Sequence, residues 1–250
     1  MVQPLKTLKY VHTHEDDDSV RKLLNAWTKA VERYTNTFKD NPWWYNERAS
    51  LSVLAGAAWT LKDWFALEEF STTKRMRTLA PGVDAGQLRN GRCDLFICSP
   101  SESFAIEAKQ AIQSIGLKSD GESYMHKALK GAWEDSGDLG HWEANRRFAV
   151  TFVVPAIPLS EVRMGEGKQV QICPVKVNAS LRRWLTDEPY FVGWSLKPTQ
   201  FAYIFPKVGS PNYVDEHRYF PGIVVIFDER HRASQQRAQA EPKAAGAALA

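Results

Sequence analysis

Residues 91–109 read Gly-Arg-Cys-Asp-Leu-Phe-Ile-Cys-Ser-Pro-Ser-Glu-Ser-Phe-Ala-Ile-Glu-Ala-Lys. Two short apolar runs flank a Ser-Pro-Ser-Glu-Ser break, a pattern that predicts a β-hairpin with strands over residues 92–99 and 103–110. Side chains alternate along a strand, so Glu107 and Lys109 share one face while Phe104, Ile106 and Ala108 share the other. With the turn centred on Pro100 and Ser101, Asp94 falls opposite Glu107. Directly paired Cβ atoms are roughly 5 Å apart, close enough for two carboxylates to share one divalent cation. The same register sets Arg92 opposite Lys109, an unfavourable like-charge pair, which a bend at Gly91 relieves. The competing reading is a hairpin whose acids and lysine pair on a solvated face.

Upstream, Glu47 lies on a predicted helix over residues 45–62, in one stripe with Leu51, Leu54, Ala58 and Leu61. A carboxylate at the end of a core-facing stripe points toward the sheet. The alternative is a first-turn glutamate favoured by the helix dipole, just after Pro42.

An Asp on one strand, then Glu-x-Lys on the next after 12 intervening residues, resembles the PD-(D/E)XK nuclease superfamily, with its restriction-endonuclease-like fold. The flanking elements follow that family's order of helix, three strands, helix, strand: a helix over 45–62, a strand over 66–72, the hairpin, a helix over 126–139 and a strand over 147–155. The resemblance spans roughly residues 43–158, with Cys93 where the motif's Pro would stand. It implies an α/β fold and a metal-dependent DNA nuclease, acting as an endonuclease, with Asp94, Glu107 and Lys109 catalytic. Asp94 and Glu107 would hold Mg²⁺ or Mn²⁺ with a backbone carbonyl near Ala108, and Glu47 matches the family's helix acid that often completes the metal shell. Lys109 would orient or deprotonate the attacking water, whereas Gln110 should face away. Two alternatives stay open: a catalytically inactive protein of the same fold that binds nucleic acid or a partner protein, and an unrelated α/β enzyme with other metal chemistry.

Charge sharpens the DNA reading only locally, because the net charge of the 250-residue chain is just +3. Between Ser71 and Cys93, however, Lys74, Arg75, Arg77, Arg89 and Arg92 face the single acid Asp84. This stretch leads into the hairpin, where a phosphate backbone would run; a solvated loop is the competing account. The turn-rich run through Pro81, Gly82 and Gly86 lacks a Gly-Lys-Ser/Thr step, so no nucleotide cofactor is expected.

Cys93, Cys98 and Cys173 have no metal-ligand spacing and are expected as buried thiols, with Cys93 and Cys98 on opposite sides of a regular strand. Neither a signal peptide nor a membrane span is visible, so a soluble cytoplasmic protein is expected; a homodimer stays open.

The chain divides into an N-terminal helical segment (1–42), the core (43–158), a C-terminal β-rich extension of the same domain (159–232) and a disordered tail (233–250). Acids at Glu15 to Asp18 and Ser19 favour the start of a helix over 20–38 rather than a metal site. The apolar strand over 147–155 suits a sheet centre buried on both faces. Beyond it, strands are expected over 169–177, 201–205 and 222–227, with a short helix over 179–185.

Overall fold

The structure, a computed structural model, describes residues 6–76, 88–119, 123–165, 170–186 and 199–231. It is an α/β protein organised on a large mixed sheet. In chain order the elements are β1 (Leu8–His12), α1 (Asp18–Phe38), a 3-10 turn (Pro42–Trp44), α2 (Glu47–Trp59), β2 (Phe65–Arg75), β3 (Leu88–Cys98) and β4 (Ser103–Ser114). There follow α3 (Ser123–Asp138), β5 (Arg146–Pro158), α4 (Leu159–Val162), β6 (Arg163–Met164), β7 (Gln171–Ile172) and α5 (Pro174–Thr186). β8 (Gln200–Phe205), another 3-10 turn (Pro211–Tyr213), β9 (Val214–Asp215), β10 (Arg218–Tyr219) and β11 (Ile223–Arg230) complete the set.

The main sheet runs β1-β8-β11-β5-β4-β3-β2, so β5 is its middle strand. Ten consecutive residues of β5, from Phe148 to Ile157, are buried, as its unbroken apolar run requires. β4 and β5 run parallel, joined through α3, while β3 and β11 flank them antiparallel. The helices lie on both faces: Lys109 of β4 reaches α3, and the next residue, Gln110, bonds Ser50 of α2. Adjacent strand residues point to opposite faces, so α2 and α3 sandwich β4.

A half-buried arginine ties the N-terminal helix to this sheet. Arg146, at the start of β5, grips both oxygens of Asp17 at 2.9 and 2.6 Å and both oxygens of Glu229 at 2.9 and 2.6 Å. Its guanidinium also stacks 4.9 Å from the Phe148 ring centroid. Asp17 in turn caps α1 by accepting from the Val20 N–H. Such a fork matches two carboxylates with little loss of freedom per bond.

The β2–β3 ladder has one irregularity that shapes everything near it. Pairs run from Phe65↔Cys98 to Glu68↔Leu95, skip Glu69 and Asp94, and resume from Phe70↔Cys93 to Arg75↔Leu88. Glu69 sits at φ 53, in the left-handed region that non-glycine residues rarely occupy. Arg48 and Arg92 hold its carboxylate at 2.8 and 3.2 Å. The skip reverses which face each side chain meets. Cys93 and Phe96, three residues apart, pack in the same cluster with Phe70, Ala105 and Leu139, so Cys93 departs from the alternation of a regular strand.

β3 pairs with β4 only from Leu95↔Ile106 to Cys98↔Ser103. Residues 70–75 and 88–93 therefore leave β4 as a two-stranded arm, which curls toward the end of α3, where Lys74 bridges to Leu139.

The extension departs from expectation between β7 and α5. The strand expected over 169–177 is two residues long, and α5 begins already at Pro174. Val177, Leu181 and Trp184, buried at helical spacing, outweigh the short alternation of Val170 and Ile172, and Pro174 sits in the helix's first turn, where its missing N–H costs nothing. β1, not expected from the sequence, forms the sheet edge beside β8. The tail from residue 233 lies outside the described residues.

Candidate active site

Once β3 departs, the edge of β4 beyond Ile106 would leave backbone donors without strand partners. Two carboxylates stand along it. Asp94, at the skipped position of β3, accepts from the Ala108 N–H at 2.9 Å. Glu47, the first residue of α2, comes close enough to the Gln110 N–H for the backbone to favour its charged form. Donors two residues apart on one strand edge are roughly 7 Å apart, so the two acids stand in sequence along the open edge. The register that set Asp94 opposite Glu107 is kept in index, but the ladder stops one pair earlier. Arg92 consequently never faces Lys109; it turns to Glu69.

Glu107 and Lys109 project from the same stretch of β4 toward α3. The Glu107 side chain is 3% exposed, and Lys74 Nζ stands 2.7 Å from its Oε1. That contact is an ion pair by distance, yet Oε1 takes no hydrogen bond of good geometry. At such a separation the charges attract whatever the angle, so the ion pair is the contact that matters. Burial, then the neighbouring Asp94 charge, pushes the Glu107 pKa up to about 8, with Lys74 opposing. Lys109 crosses the face of Gly131 and ends 2.6 Å from Asp135 Oδ2. Burial pulls the Lys109 pKa down, but Asp135, with Glu47 and Asp94, more than offsets this and holds it above the usual lysine range. Burial raises the Glu47 pKa, Lys109 opposing and Asp94 adding to the rise.

Asp94, Glu107, Lys109 and Glu47 thus come together around the β4 edge, each within electrostatic reach of at least one of the others. Among the described residues, no three His, Cys, Asp or Glu side chains converge to hold one metal ion, so Glu47 does not join Asp94 and Glu107 in a single ligand set.

The basic residues divide. Arg75, Arg89 and Arg92 are exposed on the arm, Arg89 lying 3.6 Å from Asp138. Arg77 lies outside the described residues. Lys74 is not on the outer surface with them, because after the skip it points inward to Glu107. Asp135 was missed; the one sequence signal was its place four residues after Gly131 on the helix that follows Lys109.

No family model, curated protein or solved structure matches this chain. The assignment of chemistry therefore rests on the residues themselves. Among the described residues, no helix is long and apolar enough to cross a membrane.

The donor set fits a hard divalent cation. Asp94 and Glu107 offer carboxylate oxygens whose charges bear on each other, with the Lys74 ammonium beside Glu107. Glu107 Oε1 and the buried Thr151 hydroxyl, beside Lys109 in register, lack well-directed partners. With two protein carboxylates, the remaining positions would fall to backbone oxygen and water, which suits Mg²⁺ or Mn²⁺, ions that keep several waters.

Proposed function

We propose that this protein is a metal-dependent DNA nuclease of the PD-(D/E)XK type, hydrolysing phosphodiester bonds at the open edge of β4. One observation carries the reading: Asp94 and Glu47 line that edge while Glu107 and Lys109 rise from the same five residues of strand. The element order from α2 to β5 is also that of the family's core, helix, three strands, helix, strand. Asp94 and Glu107 would hold the cation, with Glu47 acting on it through water. A bound divalent cation supplies charge neutralisation at the scissile phosphate and a water of lowered pKa.

The protein's own groups do the rest. Lys109, kept charged by Asp135, donates to the attacking water or a phosphate oxygen rather than serving as a base. Asp94 is fixed through one oxygen by the Ala108 N–H, which leaves the other for the cation. Arg75, Arg89 and Arg92 offer the flanking phosphates positive charge. Water oxygen bonds to phosphorus, the P–O bond to the leaving sugar breaks, and a proton passes to the leaving oxygen.

A second reading, a non-cleaving protein of this fold that binds nucleic acid or a partner, gains from one feature: Glu107 and Lys109 are both engaged, by Lys74 and Asp135. Incubating the full chain with plasmid and linear DNA in Mg²⁺, Mn²⁺ or EDTA separates the two. Divalent-dependent cleavage that Lys109→Ala abolishes supports the nuclease; DNA binding without cleavage in any metal supports the second.

A further inference from the structure

We infer that Lys74 is the resident counter-ion of this centre: its ammonium holds the place beside Glu107 that a divalent cation takes, so lysine and cation compete. The inference rests on the proposed metal site and adds a residue that the motif does not contain.

Three features of the chain deliver this lysine. The skip at Glu69 and Asp94 turns the arm over, so that Lys74 faces the β4 side instead of solvent. The bridge to Leu139 fixes its backbone against the end of α3. Gly91, across the arm, clears its path: a Cβ there would lie 2.9 Å from Lys74 Cγ and Cδ. The stem therefore lies over the glycine, and the side chain is 13% exposed where a surface lysine would extend into water.

The physical consequence is direct. Two adjacent carboxylates repel each other without a cation, and Lys74 supplies the missing positive charge. A divalent ion bound at Glu107 meets an ammonium at ion-pair distance, and the two charges exclude each other. The lysine can yield because its charge sits on a flexible four-carbon stem, and phosphate on the arm side would receive it. Metal affinity in the absence of DNA is accordingly held down by Lys74.

The test is Mn²⁺ binding, measured by isothermal titration and by the electron paramagnetic resonance signal of free Mn²⁺, on the full-length protein. Wild type is compared with Lys74→Met, Gly91→Ala and, as a loss-of-site control, Asp94→Asn. Lys74→Met keeps the stem and removes the charge; Mn²⁺ should bind roughly tenfold tighter or more. Gly91→Ala keeps the charge but crowds the stem, and should shift affinity the same way by less. Should Lys74→Met fail to fold, Gly91→Ala decides in the same direction. Saturable wild-type binding, lost in Asp94→Asn but not tightened by either arm variant, would overturn the role of Lys74 and leave the metal site standing. If neither wild type nor the arm variants bind Mn²⁺ saturably, the metal site and this inference fall together.

Discussion

Asp135 Oδ2 lies 2.6 Å from Lys109 Nζ, and this pair joins α3 to the strand that carries the candidate chemistry. Asp135 is half-buried, and its charge bears also on Glu47 and Glu107. It acts on the site through the lysine: it holds the ammonium charged and fixes its direction.

Asp135→Asn should therefore lower the proton affinity of Lys109 without unfolding the chain. As an ammonium donor, Lys109 is lost when pH rises through its pKa, so the alkaline limb of a kcat/KM profile should move to lower pH. At neutral pH the loss should be roughly tenfold, about 1.4 kcal/mol of transition-state stabilisation. An unshifted alkaline limb in a folded, active variant would show that the pair is a structural link.

Glu107 gives a stability prediction of the opposite sign from an ordinary acid. Its pKa rises from 4.5 to about 8 on folding, so between those values the folded state binds more protons than the unfolded one. Stability from this group is present below pH 4.5 and is lost as pH rises toward 8. Glu107→Gln removes that slope. Relative to wild type, the metal-free variant should gain on the order of 4 kcal/mol between pH 5 and pH 8.5, read from denaturant midpoints. A constant difference across that range would mean Glu107 stays ionised in the fold.

The Arg146 hub behaves conventionally. Burial opposes the charge of Asp17, but hydrogen bonds from Arg146 and Gln200 outweigh it and lower the pKa from 3.8 to about 2. Its stabilisation is present above pH 3.8 and disappears as pH falls through 2, a contribution of roughly 2 kcal/mol. Asp17→Asn should cost at least that at pH 7 and little at pH 2. Arg146→Met should cost more, about 3–5 kcal/mol at pH 7, because it strands Asp17 and Glu229 and releases Glu102 as well. Thermal melts across pH check both; a loss from Asp17→Asn that persists unchanged at pH 2 would assign it to hydrogen-bond geometry that the amide cannot copy, since Asn keeps the cap of α1.

Much of this was readable from local pattern. The continuous apolar run of β5, the hairpin break at Pro100 and the stripe from Glu47 to Ala58 each depend on neighbours in sequence, and each is present. The destination of Lys74 was not readable. It depends on a left-handed Glu69, a residue type that gives no hint of positive φ, and on an arm folding back to Leu139, 65 positions away in the chain. The same skip stopped the β3–β4 ladder at Leu95, where a regular hairpin would have carried it on to Glu107. α5 was misread because Val170 and Ile172 alternate over too few residues to distinguish strand from the entry to a helix.

The last prediction separates the two tasks of Asp94. Its Oδ2 satisfies the Ala108 N–H, and its charge belongs to the candidate chemistry. Asn keeps an oxygen acceptor of the same shape and removes the charge that repels Glu107. Asp94→Asn should hold the metal-free stability of wild type, or exceed it slightly, while divalent-dependent DNA cleavage falls to background. Asp94→Ala removes both functions and leaves the Ala108 N–H on an edge that β3 no longer covers, which costs a further 1–2 kcal/mol or about that. Urea midpoints and a plasmid-cleavage assay on the two variants read the tasks independently. Wild-type cleavage rates in Asp94→Asn would sink the assignment of catalysis to this edge. Unfolding of Asp94→Asn with its acceptor intact would make the carboxylate's charge structural, and the second reading of the protein would then gain.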